Sequence, residues 1–292
     1  MRPIFCTPFV LLLFAGSVWA EQNEKLSKEN QAIVEAKRQK IEVEIAQLKD
    51  HPWAGEYIYG SSTYLTLAPE NGFTIIGYGS FGFEYLEHGT VDWDGIHVKL
   101  NYTFDEKMGT IDDEAIKRKP IRWGERIYLI PTYRVIEFCN AVNSGGEPRN
   151  RTYGRFYLRR GDEEKEVKGK PELSEEFMPY LLDKPVDATI ASVEKIHEKD
   201  RHQNIATVVV NKGKNDGLLP GMELHVVKPS IIGEVTLTRV EETQSKGELT
   251  YLRPSEIESL FSRLLRTHEP APASGWQLST CPSRSRDRDV PN

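Results

Sequence analysis

The chain has 292 residues, 38 basic against 44 acidic side chains for a net charge of −6, and 38% hydrophobic residues. That balance excludes a general polyanion binder, so no nucleic-acid partner is expected, and the length suits one large or two ordinary domains with real cores. Three cysteines are too few for a disulfide-dense scaffold and have no zinc-ligand spacing.

Residues 1–20 read as a secretory signal, with Arg2 as the positive start, an apolar run from Phe9 to Gly16 and a small-residue cleavage site at Val18-Trp19-Ala20. The expected mature chain begins at Glu21, and the product is expected to be secreted or periplasmic. The apolar run is shorter than the roughly 20 residues that cross a bilayer, so no transmembrane segment is expected. Ser17 stands where a lipidated cysteine would follow Leu13-Phe14-Ala15-Gly16, which argues against a lipid anchor. Cys6 leaves with the signal. Cys139 and Cys281 remain, and a disulfide between them or two free thiols both fit.

From Glu24 to Lys49 there is no Gly or Pro, and Leu26, Ile33, Val34, Ile41, Ile45 and Leu48 recur at helical spacings. This predicts a long amphipathic helix, about 40 Å at 1.5 Å per residue, in residues 21–50. Its apolar stripe suits packing on its own domain. It also suits self-association or an envelope protein partner, with Ile33, Ile41, Ile45 and Leu48 as the candidate interaction residues.

Residues 51–160 are dense in aromatics and turn signals and predict an antiparallel sheet or barrel. Ile96, Val98, Leu100, Tyr102 and Phe104 alternate with polar residues in a period of two. A two-residue turn at Asp94-Gly95 would set Trp93 against Ile96 and Val91 against Val98, with Asp92 opposite His97 on the wet face. A turn at Asn71-Gly72 would set Leu67 against Ile76. Further strands are expected at Arg126 to Ile130, Arg134 to Cys139 and Arg155 to Arg159.

Residues 161–184 are charged and Pro-containing and read as a linker, with a short helix from Ser174 to Leu182. Residues 185–252 hold five short strand patterns, expected to form a small barrel with a bulge near Thr238-Arg239. Residues 253–292 read as a terminal helix, Pro254 to Arg266, and a loose tail. The fold class is therefore mainly β, α+β overall: a long N-terminal helix, an antiparallel aromatic-rich sheet or barrel, and a small C-terminal β-barrel.

The stretch from Val208 through Asn211-Lys212-Gly213-Lys214-Asn215-Asp216-Gly217 to Gly221-Met222, followed by Ile232-Gly233-Glu234-Val235, resembles small β-barrel modules of bacterial cell-envelope proteins, such as flagellar-ring and rod-shape-determining assemblies. The resemblance implies a barrel that mediates assembly. Trp53-Ala54-Gly55-Glu56-Tyr57 resembles the opening of lipocalin-type barrels, which implies a carrier.

Motifs for chemistry are weak. Gly77-Tyr78-Gly79-Ser80-Phe81-Gly82 has dinucleotide-fingerprint spacing but sits in a strand-like context with no following helix pattern, so no cofactor is expected. His88, Asp92, Asp94 and His97 form the most ligand-like cluster. Asp92 and His97 are the candidate metal pair, and a solvated cross-strand pair is the preferred reading because two ligands do not make a site. No Gly-x-Ser-x-Gly elbow is present, nothing marks a base for Cys139, and Lys212 and Lys214 flank a turn where an anion could sit. The expected function is that of an exported, non-catalytic binding or scaffolding protein of the bacterial envelope. A lipocalin-like carrier of a small apolar ligand and an exported hydrolase are the alternatives.

Overall fold

The computed structural model describes residues 9–48, 50–80, 82–103, 116–145, 155–198, 203–229, 232–252 and 271–282. The protein is mainly β, with two closed antiparallel barrels, one of eight strands and one of six, preceded by a helix. The chain divides into two compact units, 1–131 with 151–167 and 132–150 with 168–292. Sequence reading placed a single boundary in residues 161–184. In the structure residues 155–167 belong to the first unit, and the segment before them belongs to the second.

In the first unit, helix α1 (Phe9–Gln47) is followed by β1 (Gly55–Tyr59), β2 (Thr63–Ala68), β3 (Gly72–Gly79), β4 (Gly82–Trp93), β5 (Val98–Tyr102), β6 (Lys117–Trp123), β7 (Arg126–Pro131) and β8 (Tyr157–Arg159). Each strand pairs with the next and β8 returns to β1, giving an up-and-down barrel. Alternation sends Tyr57, Leu65, Leu67, Phe73, Leu100 and Leu129 into the core. The close approach of β3, β4 and β5 requires Gly89. A methyl there would run into the Asn101 carbonyl oxygen and lie 2.6 Å from the Phe73 ring.

The helix begins earlier than its polar stretch predicts and lies against β2, β3 and β4. Val34 and Ile41 are fully buried, Ile45 and Leu48 are half-buried, and Ile33 is 52% exposed. Polar contacts fix the seat. Asn30 Nδ2 donates to Leu86 O at 3.0 Å, and the Glu44 carboxylate accepts from Glu70 N, Asn71 N and Asn71 Nδ2 at 2.8–2.9 Å. Arg38 pairs with Glu56 at 3.5 Å.

Both expected hairpin registers shift. The β2–β3 pairing runs Leu67 to Phe73 and Leu65 to Ile75, an odd displacement from the expected one, so Ile76 shares the outer face with Tyr64. The turn that Glu44 holds starts earlier than Asn71-Gly72 alone indicates. In β4–β5, Trp93 pairs with Val98 and Val91 with Leu100, because Asp94 Oδ1 accepts from Ile96 N and His97 N at 2.7 and 2.6 Å and makes a four-residue loop. Ile96 is consequently 56% exposed and Trp93 is 39% exposed, still touching Trp53 with ring centroids 6.1 Å apart.

In the second unit, residues Arg134 to Cys139, read as a strand, form helix α2 (Val135–Asn143). Val135, Phe138 and Cys139 sit at helical spacing and are all buried, a pattern that a short apolar run shares with a strand. The six-stranded barrel uses β9 (Asp187–Glu198), β10 (Gln203–Val210), β11 (Glu223–Lys228), β12 (Gly233–Val240), β13 (Ser245–Leu252) and β14 (Gln277–Ser279). The bulge expected at Thr238-Arg239 is present between Leu237 and Arg239.

The loose-tail reading is corrected by β14. This strand pairs with β11 and β9, closes the barrel, and buries Trp276 and Leu278. Five strands within 185–252 would leave that gap open. In place of the helix expected at 174–182 there is a 3-10 turn, Met178–Tyr180. The expected helix 254–266 lies outside the described residues.

Replacing Ile41 with Ala should cost about 2–5 kcal/mol, whereas Ile33→Ala should stay within about 0.5 kcal/mol. Urea denaturation of both variants checks this, and equal effects would contradict the seat of α1 on the barrel.

Candidate functional site

The interior of the eight-stranded barrel has two unlike ends. At the first, Trp53 is buried, Tyr57 Oη donates to Trp53 O at 2.9 Å, and the His51 ring stands edge-on to Trp53 at 4.8 Å. Trp53 N and Ala54 N donate to His51 Nδ1 at 3.4 and 3.0 Å, so that nitrogen must be unprotonated. Burial lowers the His51 pKa, against an opposing pull from Glu44. Behind them Asp162, 1% exposed, accepts from Ile127 N at 2.9 Å and pairs with Lys165 at 2.7 Å and Arg159 at 3.3 Å. Arg126 reaches the carbonyls of Glu163 and Lys165, both at 2.7 Å, and holds the chain that carries Asp162. The charged groups at this end are tied to one another, while Trp53 Nε1 is buried without a hydrogen-bond partner, and the Tyr57 phenol, fully buried, is driven well above its ordinary range by burial.

The other end lies where β1, β3, β5 and β7 finish. The registers place Tyr59, Thr63, Glu87, Tyr102, Arg118 and Tyr157 on the inward parity there. Tyr59 and Tyr157 rings lie 5.2 Å apart and Phe73 meets Tyr102 at 4.9 Å. The Arg118 guanidinium sits 4.9 Å over the Tyr157 ring. Arg118 is only 7% exposed, yet its Nε and Nη1 are buried and make no hydrogen bond. An uncompensated buried ion costs several kcal/mol even after relaxation.

Glu87 is the acidic group that Arg118 influences, but no ion pair joins them. Burial raises the Glu87 pKa above its ordinary value, and Arg118 offsets part of that rise. The arrangement can receive a group that accepts hydrogen bonds and carries negative charge.

The residues singled out from sequence do not meet here. Asp92 accepts from Asn101 Nδ2 at 2.8 Å and is paired in register with Lys99, while His97 Nδ1 lies 3.1 Å from Asp94 Oδ2. Asp92 and His97 are thus separated by the two-residue shift in register. Hydrogen bonds from His97 N and Ile96 N hold the Asp94 pKa down to about 2. Among the described residues no group of three or more His, Cys, Asp or Glu side chains is placed to hold a metal. In the glycine motif the ends of β3 and β4 pair, with Gly79 opposite Gly82, where a nucleotide site would need a helix start.

Of the four candidate interaction residues, Ile41 on α1 is buried, Ile45 on α1 and Leu48 just after it are half-buried, and Ile33 is exposed. Lys212 pairs with Asp216 at 2.7 Å and Lys214 with Glu242 at 3.4 Å, which commits both turn cations. Cys139 and Cys281 are buried and unbridged. Burial pushes the Cys139 thiol up to about 12, far from nucleophilic. The second unit also has a surface cavity of about 280 Å³ lined by Asn143, Lys170, Leu182, Asp183 and Cys281, where Lys170 is already bonded to Leu181 O and Asp183.

Arg118 escaped sequence reading because Lys117-Arg118-Lys119-Pro120-Ile121-Arg122-Trp123 reads as a basic run. Its inward residues, Arg118, Pro120 and Arg122, lack the apolar alternation that marks a strand. No protein family, no curated protein and no solved structure matches the chain.

Because Glu87 has a raised pKa when folded, the native state binds its proton more readily than the unfolded chain. This contribution is full below the unfolded value of about 4.3 and is lost as pH rises through the raised one. Glu87→Gln should therefore gain stability relative to wild type as pH rises from about 4 to 7. Denaturation midpoints across that range check it, and a constant difference between the two proteins would contradict the assignment.

Proposed function

We propose that the protein is exported to the bacterial envelope and works there as a non-catalytic carrier, holding a small ligand in the tyrosine end of its eight-stranded barrel. The asymmetry of the barrel interior carries this reading. One end is closed by Trp53, His51 and the Asp162 network, and the other presents half-buried phenol rings around an incompletely bonded Arg118. Eight-stranded barrels are wide enough for packed side chains or for one small molecule, and pockets of this class combine apolar walls with a few oriented polar groups. The lipocalin-like opening at Trp53 to Tyr57 supports the same reading.

A scaffolding role finds support in the resemblance of residues 208–235 to envelope barrel modules. The stripe on α1 supports it less, since Ile41 is buried against its own barrel. Export rests on the signal-like pattern of residues 1–20.

Native mass spectrometry of protein expressed with its own leader tests both parts of the proposal. The expected polypeptide starts at Glu21 and carries one small organic molecule that is lost on denaturation. A polypeptide retaining residues 1–20 would overturn export. Absence of any bound molecule, with no small apolar compound raising the melting temperature, would overturn the carrier reading.

A further inference from the structure

At the closed end of the first barrel the charged groups are paired and the neutral Trp53 Nε1 is buried without a partner, whereas at the other end it is a cation that is left unsatisfied. Arg118 is held over Tyr157 with two donor nitrogens buried and unbonded. We propose that the carried ligand is an amphipathic organic monoanion, with a carboxylate or similar oxyanion head on Arg118 and an apolar body against Tyr59, Tyr102 and Tyr157. This rests on the carrier reading and adds the ligand's charge and its anchor.

Three features of the site select that chemistry. A guanidinium is charged at every physiological pH and donates only, so its missing partner must accept hydrogen bonds, and an anion also cancels the buried charge. The walls are aromatic, with Tyr59 tilted against Tyr157 at 5.2 Å and Tyr102 at 4.9 Å from Phe73, which suits an apolar body better than a hydrated inorganic ion. Glu87 lies at the same end, so one negative charge on the ligand is matched by Arg118, whereas a second would add to an existing carboxylate.

Glu87 is also the group that works against binding. While ionised it repels the ligand head; protonated, it no longer does. Anion affinity is thereby expected to rise on mild acidification. Among the residues whose side chains are described, the ionisable groups on the inward parity at this end are Glu87, Arg118 and the phenols of Tyr59, Tyr102 and Tyr157.

Fluorescence titration of the full chain with two probes of matched shape tests the inference: anionic anilinonaphthalene sulfonate and its uncharged relative phenylnaphthylamine. Wild type should bind the sulfonate roughly ten- to a hundredfold more tightly than the amine. Arg118→Met, which replaces the cation by a side chain of similar reach, should lower sulfonate affinity by the same factor and leave the amine unchanged. Glu87→Gln should tighten the sulfonate severalfold and remove its pH dependence, and it remains informative if Arg118→Met does not fold. Equal binding of both probes, or sulfonate binding indifferent to Arg118→Met and Glu87→Gln, would overturn the anion assignment while the carrier reading stands. Failure of both probes to bind would overturn the carrier reading itself.

Discussion

The Asp162 carboxylate is the contact on which the first barrel depends. It lies in the segment after β8, is almost wholly buried, and joins three parts of the chain: the start of β7 through Ile127 N, the end of β8 through Arg159, and its own loop through Lys165. A buried carboxylate is costly unless every lone pair is answered. Here several partners converge on it, and Arg126 grips the backbone on either side of Glu164. With Arg159 also approaching His51 O at 3.5 Å, the network carries across to the chain entering β1. Closure of the sheet and closure of that end of the interior are therefore one event. The buried cation with unpartnered donors, Arg118, sits at the opposite end.

The second unit solves the corresponding problem with amides. Asn140 donates to Gly221 O at 2.9 Å and accepts from Glu223 N at 3.3 Å, and Asn143 donates to Tyr180 O at 2.8 Å and accepts from Leu182 N at 3.0 Å. Each side chain imitates a backbone peptide and ties one face of α2 to a different strand start or turn. Cys281 Sγ, 3.3 Å from Ser144 O, brings the segment after β14 to the end of the same helix. Residues distant in sequence thus close one core around Val208, Leu224, Leu249 and Trp276.

The mainly β plan, an antiparallel sheet or barrel followed by a small barrel, was legible because strand alternation and turn residues are local signals, whereas closure of the first sheet was not. Residue pairing was less legible. At Asp94 the loop gained two residues through its own side-chain hydrogen bonds, and because two is the period of a strand, Val98 and Leu100 kept their inward face. At Asn71 the displacement was odd and inverted the face of Ile76. The turn is set by Glu44, which approaches from a helix 26 residues earlier, and no local pattern encodes that. The strand β14 was missed for a similar reason. Gln277-Leu278-Ser279 is too short to show a period, and what makes it a strand is the unpaired edge between β9 and β11. Arg118 was hidden because its worth lies in what its neighbours fail to supply.

The central claim is that the buried charge is paired at the Asp162 end of the barrel interior and open to an anionic ligand at the Arg118 end. Backbone amide NMR of the folded protein, titrated with anilinonaphthalene sulfonate, tests it most directly. The account predicts that shift changes cluster on Tyr59, Thr63, Tyr102, Arg118 and Tyr157 and spare Trp53, Ile127 and Asp162. Changes centred on Trp53 and Asp162, or confined to α1, would contradict it.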